Sequence, residues 1–337
     1  MAQESALQDT VGREGSGGIA SRPPIDPELR AGLQIVGGVF PPTITEDLIG
    51  FMRKSYASPP LEQTLRGRHV VHEELDYPSY GGEKVRVSIF RPSSSTGPRP
   101  AVLYAHSGGL MFGDRFSALH TNLDWVEECG AVLICPEYRL APEHPDPYAR
   151  EDFYACLEWV ASHAPELGVD PSRLIAAGAS AGGALAAGLA LAARDRGGPA
   201  ILGQLLIYPM LDDRGHHPSV HQFDGVGVWD RISNTTGWDA MLGSGHESSA
   251  DVSPYIAPGR AEDLSGLPPA YLDVGAVEIF RDETIDYAHR LWRSGGAADL
   301  HVWSGAFHAC DVFAPHAAVA QQMIRTRNRW VTTMLAD

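Results

Sequence analysis

Hydrophobic and polar positions change rhythm along this chain. At 69–75 and 84–91 (KVRVSIFR in the second stretch) apolar and polar residues alternate, which predicts two strands. From 101 onward, short apolar-rich runs take turns with stretches of helical spacing. The runs at 101–105, 131–135, 173–177, 203–208, 270–274 and 300–303 predict buried strands. Helical spacing at 122–129, 148–163, 183–194, 283–293 and 316–334 predicts the helices between and after them. Continuous apolar strands alternating with helices imply an α/β architecture, with eight strands in a mostly parallel sheet covered by helices on both faces. The leading pair at 69–91 reads as its antiparallel edge.

Two regions do not follow this rhythm. Residues 27–56 show helical spacing broken by Pro41 and Pro42, and 211–268 is too long for an ordinary connection between sheet elements. The expected organisation is an arm at 1–25, an N-terminal cap segment at 26–68, an α/β domain formed by 69–210 with 269–337, and a cap insert at 211–268. The arm is rich in Gly, Ser and charge without an apolar core, so it is expected to be disordered or loosely docked and not a secretory signal. A Ser/Pro-rich turn is expected at 93–100.

One stretch imitates a membrane span. Residues 174–193 are almost wholly Ala, Gly, Leu and Ile, long enough for a bilayer. Glycines clustered around Ser180 divide it instead into a strand, a sharp turn and a helix. Composition adds limits rather than identity. The chain is 44% hydrophobic and 20% charged, as globular proteins are, and its formal net charge of −16 disfavours nucleic acid and anionic lipid as partners. Cys129, Cys135, Cys156 and Cys310 form no CxxC pair and no zinc-ligand spacing, which fits a reducing, cytoplasmic setting.

Within the imitation span, Gly178-Ala179-Ser180-Ala181-Gly182 matches G-x-S-x-G. This spacing puts a serine on a strained strand-to-helix turn, with glycines where neighbouring backbone approaches closely. Ser180 is therefore the candidate nucleophile, and the following helix N-terminus favours developing negative charge. His106-Ser107-Gly108-Gly109 follows the strand at 101–105. Glycines there can turn backbone N–H groups into a pocket and, with the N–H of Ala181, hold an oxyanion. His106 is read as bracing that loop.

These residues resemble the hormone-sensitive lipase family of α/β hydrolases, over roughly residues 70–335. The family's H-G-G-G appears as H-S-G-G, and its Y-R-L-A-P-E is matched by Tyr138-Arg139-Leu140-Ala141-Pro142-Glu143, followed by Pro145. G-D-S-A-G-G appears as G-A-S-A-G-G, with Ala179 replacing the acid. The resemblance implies the α/β-hydrolase fold with a helical cap and places the oxyanion donors on Gly108 and Gly109.

The triad order in this fold is Ser, then Asp/Glu, then His. His308, in Gly305-Ala306-Phe307-His308 after the last predicted strand, is the candidate base, and the family ends in the same G-x-x-H. The family's D-P-L-R-D-E places the acid on Glu278, although Asp is usual there. Asp273 is the second candidate but stands within a strand, and Asp282 reads as a helix N-cap. His216, His217 and His221 lack a zincin-type helical motif and read as cap or surface residues. Leu110, Met111, Phe112, Trp229 and Phe307 are expected to line a substrate pocket.

The resemblance therefore implies a serine hydrolase cleaving small-molecule esters of short to medium acyl chain, with no metal or organic cofactor. A lactone or amide hydrolase using the same triad is the alternative. A silent small-molecule receptor, as in plant gibberellin receptors of this fold, would lack the His that stands here at 308. A homodimer could use the exposed final strand or helix.

Overall fold

The computed structural model describes residues 21–37, 40–94 and 97–336. Most of the expected arm, and part of the turn expected at 93–100, therefore lie outside the described residues. Eight strands form one sheet: β1 (Val70–Pro78), β2 (Lys84–Pro92), β3 (Arg99–Ala105), β4 (Val132–Pro136), β5 (Val169–Ala179), β6 (Gly203–Ile207), β7 (Ala270–Val277) and β8 (Ala298–Phe307). Their order is β1-β2-β4-β3-β5-β6-β7-β8. β1 and β2 pair antiparallel, β2 meets β4 antiparallel, and every later pairing is parallel. The alternating pattern of β1 follows from its place at the edge, while β4 and β6 are buried at every position because helices cover both faces.

The helices are α1 (Pro27–Gly37), α2 (Ile49–Ser55), α3 (Leu61–Leu65), α4 (Leu119–Cys129), α5 (Tyr148–Ser162), α6 (Ala164–Leu167), α7 (Ala181–Arg196), α8 (Pro218–Gln222), α9 (Arg231–Leu242), α10 (Arg281–Arg293), α11 (Cys310–Phe313) and α12 (Ala318–Leu335). On one face α4 packs on α12, where the Trp125 indole donates to Asn328 Oδ1 at 2.8 Å; on the other α5 packs on α7. The closing helix begins at Ala318 rather than 316, and the short α11 before it carries no legible period of its own.

Residues 174–193 divide between β5 and α7, and no described helix is long and apolar enough to cross a membrane. Every residue of α7 from Ala181 to Ala193 is buried. A helix apolar on all sides must be covered on all sides. The sheet covers one side and the segment around Tyr255 covers another, so closely that a Cβ on Gly188 would sit 1.9 Å from the Tyr255 carbonyl oxygen.

The N-terminal segment and the 211–268 insert meet each other. Asp230 caps α9 by accepting from the Ser233 amide at 2.7 Å, and its other oxygen accepts from the Thr43 hydroxyl at 2.7 Å. Ser233 Oγ in turn accepts from the Ile44 amide at 2.8 Å. Asp282 lies in the first turn of α10 after the cap residue Phe280, so it is not the N-cap expected; its carboxylate accepts from the Ser219 amide at 2.7 Å and ties the insert to α10. All four cysteines are free thiols.

Candidate active site

β5 ends at Ala179 and α7 starts at Ala181, so Ser180 alone makes the turn between them, at φ 56°, ψ −120°. A non-glycine residue there carries strain of about 1–3 kcal/mol, held by the surrounding structure. The Ser180 amide donates to the Ile207 carbonyl at 2.8 Å, and the Ser180 carbonyl accepts from Met210 at 3.0 Å. The glycine after the turn is required by contact: a Cβ on Gly182 would lie 2.0 Å from the Ala105 carbonyl oxygen.

His308 follows β8, and Glu278 follows β7. His308 Nε2 stands 3.0 Å from Ser180 Oγ, and His308 Nδ1 stands 2.6 Å from Glu278 Oε2. A carboxylate only accepts, so this contact fixes the imidazole proton on Nδ1 and leaves Nε2 to accept from the serine hydroxyl. The second carboxylate oxygen accepts from the Gly275 amide at 2.7 Å. β7 loses its register with β8 between Gly275 and Val277, and at that irregularity the longer Glu side chain turns back toward the imidazole. All three side chains are buried. Burial raises the Glu278 carboxyl above its ordinary value, against the opposing pull of His308 and the Gly275 amide.

Asp273 is engaged elsewhere. It lies buried inside β7, 3.0 Å from the Arg327 guanidinium of α12, which also meets Asp311 at 2.9 Å. Burial opposes charge on Arg327, but the two carboxylates outweigh it and keep the guanidinium charged. Position relative to the strand end thus separates the two acids.

Gly108 and Gly109 both have positive φ, 128° and 59°. Among the described residues neither amide donates to a backbone or side-chain acceptor, and the Ala181 amide opens α7, where N–H groups have no intrahelical partner. His106 does brace this loop: its Nδ1 donates to the Ser107 carbonyl at 2.7 Å, and its ring stacks on Tyr138 at 4.2 Å. The Tyr138 hydroxyl donates to the His106 carbonyl at 2.8 Å. Burial lowers the His106 imidazole below its ordinary value, so the brace is neutral.

These groups face a cavity of about 440 Å³, including its open mouth. Phe112 and Trp229 line it, with the Trp229 ring so close to Gly109 that a Cβ there would fall 2.2 Å from it. Leu110, Met111 and Phe307, expected along the pocket, are buried and do not line it. The Met111 and Phe112 amides both fold back onto the Gly108 carbonyl at 3.0 Å, a turn tight enough that only Phe112 comes round to the cavity. Phe307 closes β8 within the core. The wall instead includes Phe40, Ile44, Met52 and Tyr56 from the N-terminal segment, and Phe313 from α11. Those apolar residues were visible in the sequence, but no period tied them to Ser180.

Asp212, His216 and His217 converge with ligand atoms within 4.8 Å of one another, away from this cavity. Arg214 already grips both Asp212 oxygens, at 2.8 and 2.6 Å. Burial alone would raise that carboxyl, yet His217 and Arg214 hold it well below the ordinary range. The Asp212 carboxylate is thus already paired with a guanidinium. His221 stands in α8.

The chain compares closely with known proteins. The family model described as alpha/beta hydrolase fold matches residues 102–312. Esterase LipI of Mycobacterium tuberculosis is 32% identical over 317 residues, 93% of this chain and 95% of that protein. Carboxylesterase NlhH of the same species is 34% identical over 293 residues, 83% and 86% of the two chains. Among solved structures, a bacterial heroin esterase superposes with a TM-score of 0.86 at 35% identity, covering 93% of this chain and 98% of that one. With its eight-stranded sheet, its serine turn and these likenesses over nearly its whole length, the chain belongs to the hormone-sensitive-lipase-like family of α/β hydrolases.

Proposed function

We propose that this protein is a serine hydrolase that cleaves carboxylic esters of short to medium acyl chain through an acyl-enzyme. The observation that carries this reading is the unbroken contact from Ser180 through His308 to Glu278, opening on an apolar cavity beside free backbone amides. Ser180 Oγ attacks the ester carbonyl carbon while its proton passes to His308 Nε2. The carbonyl π electrons move to oxygen, which rests against the Gly108, Gly109 and Ala181 amides. Glu278 stabilises the imidazolium. The tetrahedral adduct collapses, the C–O bond to the alcohol breaks, and His308 protonates the departing alkoxide. Water then repeats the sequence on the acyl-serine, with its proton going first to His308 and finally back to Ser180, releasing the carboxylic acid.

Residues 26–68 and 211–268 act as a cap in this reading, since both supply apolar wall to the cavity. The cavity is walled mostly by apolar side chains, which suits the apolar acyl or alcohol part of a small ester. His308 in contact with Ser180 is the group a silent receptor would lack. Four free thiols fit a cytoplasmic setting, and β8, last in the sheet order, or the closing helix α12 is the element a homodimer contact would use.

The test is a panel of p-nitrophenyl esters from acetate to decanoate, with lactones and anilides beside them. Turnover should be highest on the shorter esters and fall on the order of 10⁶-fold in Ser180→Ala. Substantial turnover by that variant, or preference for a lactone or anilide, would overturn the assignment.

A further inference from the structure

The family's first glycine is replaced here by Ser107, and the structure gives that departure a partner. Ser107 Oγ is hydrogen-bonded to the Tyr56 hydroxyl at 2.8 Å. Tyr56 closes α2 and belongs to the N-terminal segment, fifty-one positions away in sequence. The same segment grips the same loop twice more. Arg53 Nε donates to the Met111 carbonyl at 2.9 Å, while Ser58 donates its hydroxyl and amide to Asp114 at 2.6 and 3.1 Å. Residues 53–58 therefore brace the 107–114 loop at three points, and only the Tyr56–Ser107 contact is at the cavity wall.

That contact falls at a particular peptide. The Ser107 carbonyl and the Gly108 N–H belong to one planar unit, so whatever fixes the first aims the second. His106 Nδ1 holds the carbonyl at 2.7 Å, and Tyr56 holds the side chain of the same residue. Tyr56 is itself fixed by edge-on packing against Phe112 and Phe40, with ring centroids at 5.3 and 5.9 Å. Burial pushes its phenol up, so it remains a neutral hydroxyl at working pH.

We propose that Tyr56, acting through Ser107, is a positioning residue for the oxyanion-binding amide of Gly108, so that turnover depends on the N-terminal segment being seated against the loop. The proposal rests on the serine-hydrolase reading above. It requires that the Tyr56 and Ser107 hydroxyls work as one unit and that their loss is felt in the transition state rather than in substrate binding.

The experiment compares Tyr56→Phe, Ser107→Ala and the double variant on p-nitrophenyl butyrate, with Ser180→Ala alongside. Both single changes keep the rings and backbone and remove one hydroxyl. Each should lower kcat by about 3- to 10-fold, the worth of a neutral hydrogen bond, with KM nearly unchanged. The double variant should be no worse than the poorer single one. Inactivation by diethyl p-nitrophenyl phosphate, whose P=O occupies the same amides, should slow in parallel. Losses that multiply in the double variant, a raised KM at constant kcat, or a lowered melting temperature with kcat intact would each overturn the proposal. Turnover surviving in Ser180→Ala would instead overturn the underlying reading, which keeps the two failures distinct.

Discussion

The turn at Ser180 and the wall opposite it are built by different means. At the turn, backbone does the holding: Ser180 hydrogen-bonds through its amide and carbonyl to Ile207 and Met210, and Gly182 lies in contact with Ala105. At the wall, side chains do it: Arg53, Tyr56 and Ser58 reach across to the loop, and Thr43 reaches to Asp230. Backbone contacts between sheet neighbours tolerate little change in the residues around them. Side-chain contacts between distant segments can be rearranged one at a time. The chemistry is thus set by the sheet, while the shape of the cavity is set by attachments that can vary without touching it.

The largest expected effect tests the first half of that contrast. Glu278→Gln should lower kcat by about 10⁴-fold, as an acid that fixes the imidazole proton does when made an amide. Asp273→Asn should lose far less activity and instead lower the melting temperature, because Arg327 would keep only Asp311. Steady-state kinetics and thermal melts on the two variants decide it, and the reverse pattern would move the acid to Asp273.

An intermediate effect tests the wall. Trp229→Ala should shift the ratio of kcat/KM for octanoate over butyrate esters upward by about 10-fold, since it removes the ring pressed against Gly109. An unchanged ratio would mean that the acyl chain lies elsewhere.

The smallest effect concerns the attachment of the wall. Arg53 meets Glu143 at 2.6 Å and holds its carboxyl down to about 2 from an ordinary value of 4.5. A carboxyl lowered in the folded state stabilises it above the unfolded value and stops doing so as pH falls through the folded one. The stability gap between the native chain and Glu143→Gln should therefore be full above about pH 4.5 and close between about 4.5 and 2. For a pair this exposed the gap is at most about 1 kcal/mol, read from melts at neutral and acid pH.

The same contrast explains what could be read from the sequence. Ser180 and His308 were legible because backbone turns impose fixed spacings and a fixed chain order on the residues beside them. Glu278 was separable from Asp273 for a related reason: a side chain past the strand's end can turn to the imidazole, and one inside the strand points into the core. The strands and main helices followed from burial on one or two faces. The wall did not. Phe40, Ile44, Tyr56 and Phe313 reach the cavity through packing between segments far apart in sequence, which no local period records. Leu110 and Met111 were expected there as apolar residues, but a single tight turn sends them inward and Phe112 outward. Ser107 was noticed as a departure, and its meaning required Tyr56, whose place is decided by the fold.

The backbone angles at Ser180 carry one consequence beyond catalysis. A left-handed φ is disfavoured for serine and easy for glycine, so at this position the residue best for the chemistry and the residue best for the fold are different. Glycine would relieve the strain but lose the hydroxyl that stands 3.0 Å from His308 Nε2. Stability and the proposed chemistry therefore pull in opposite directions at this one position.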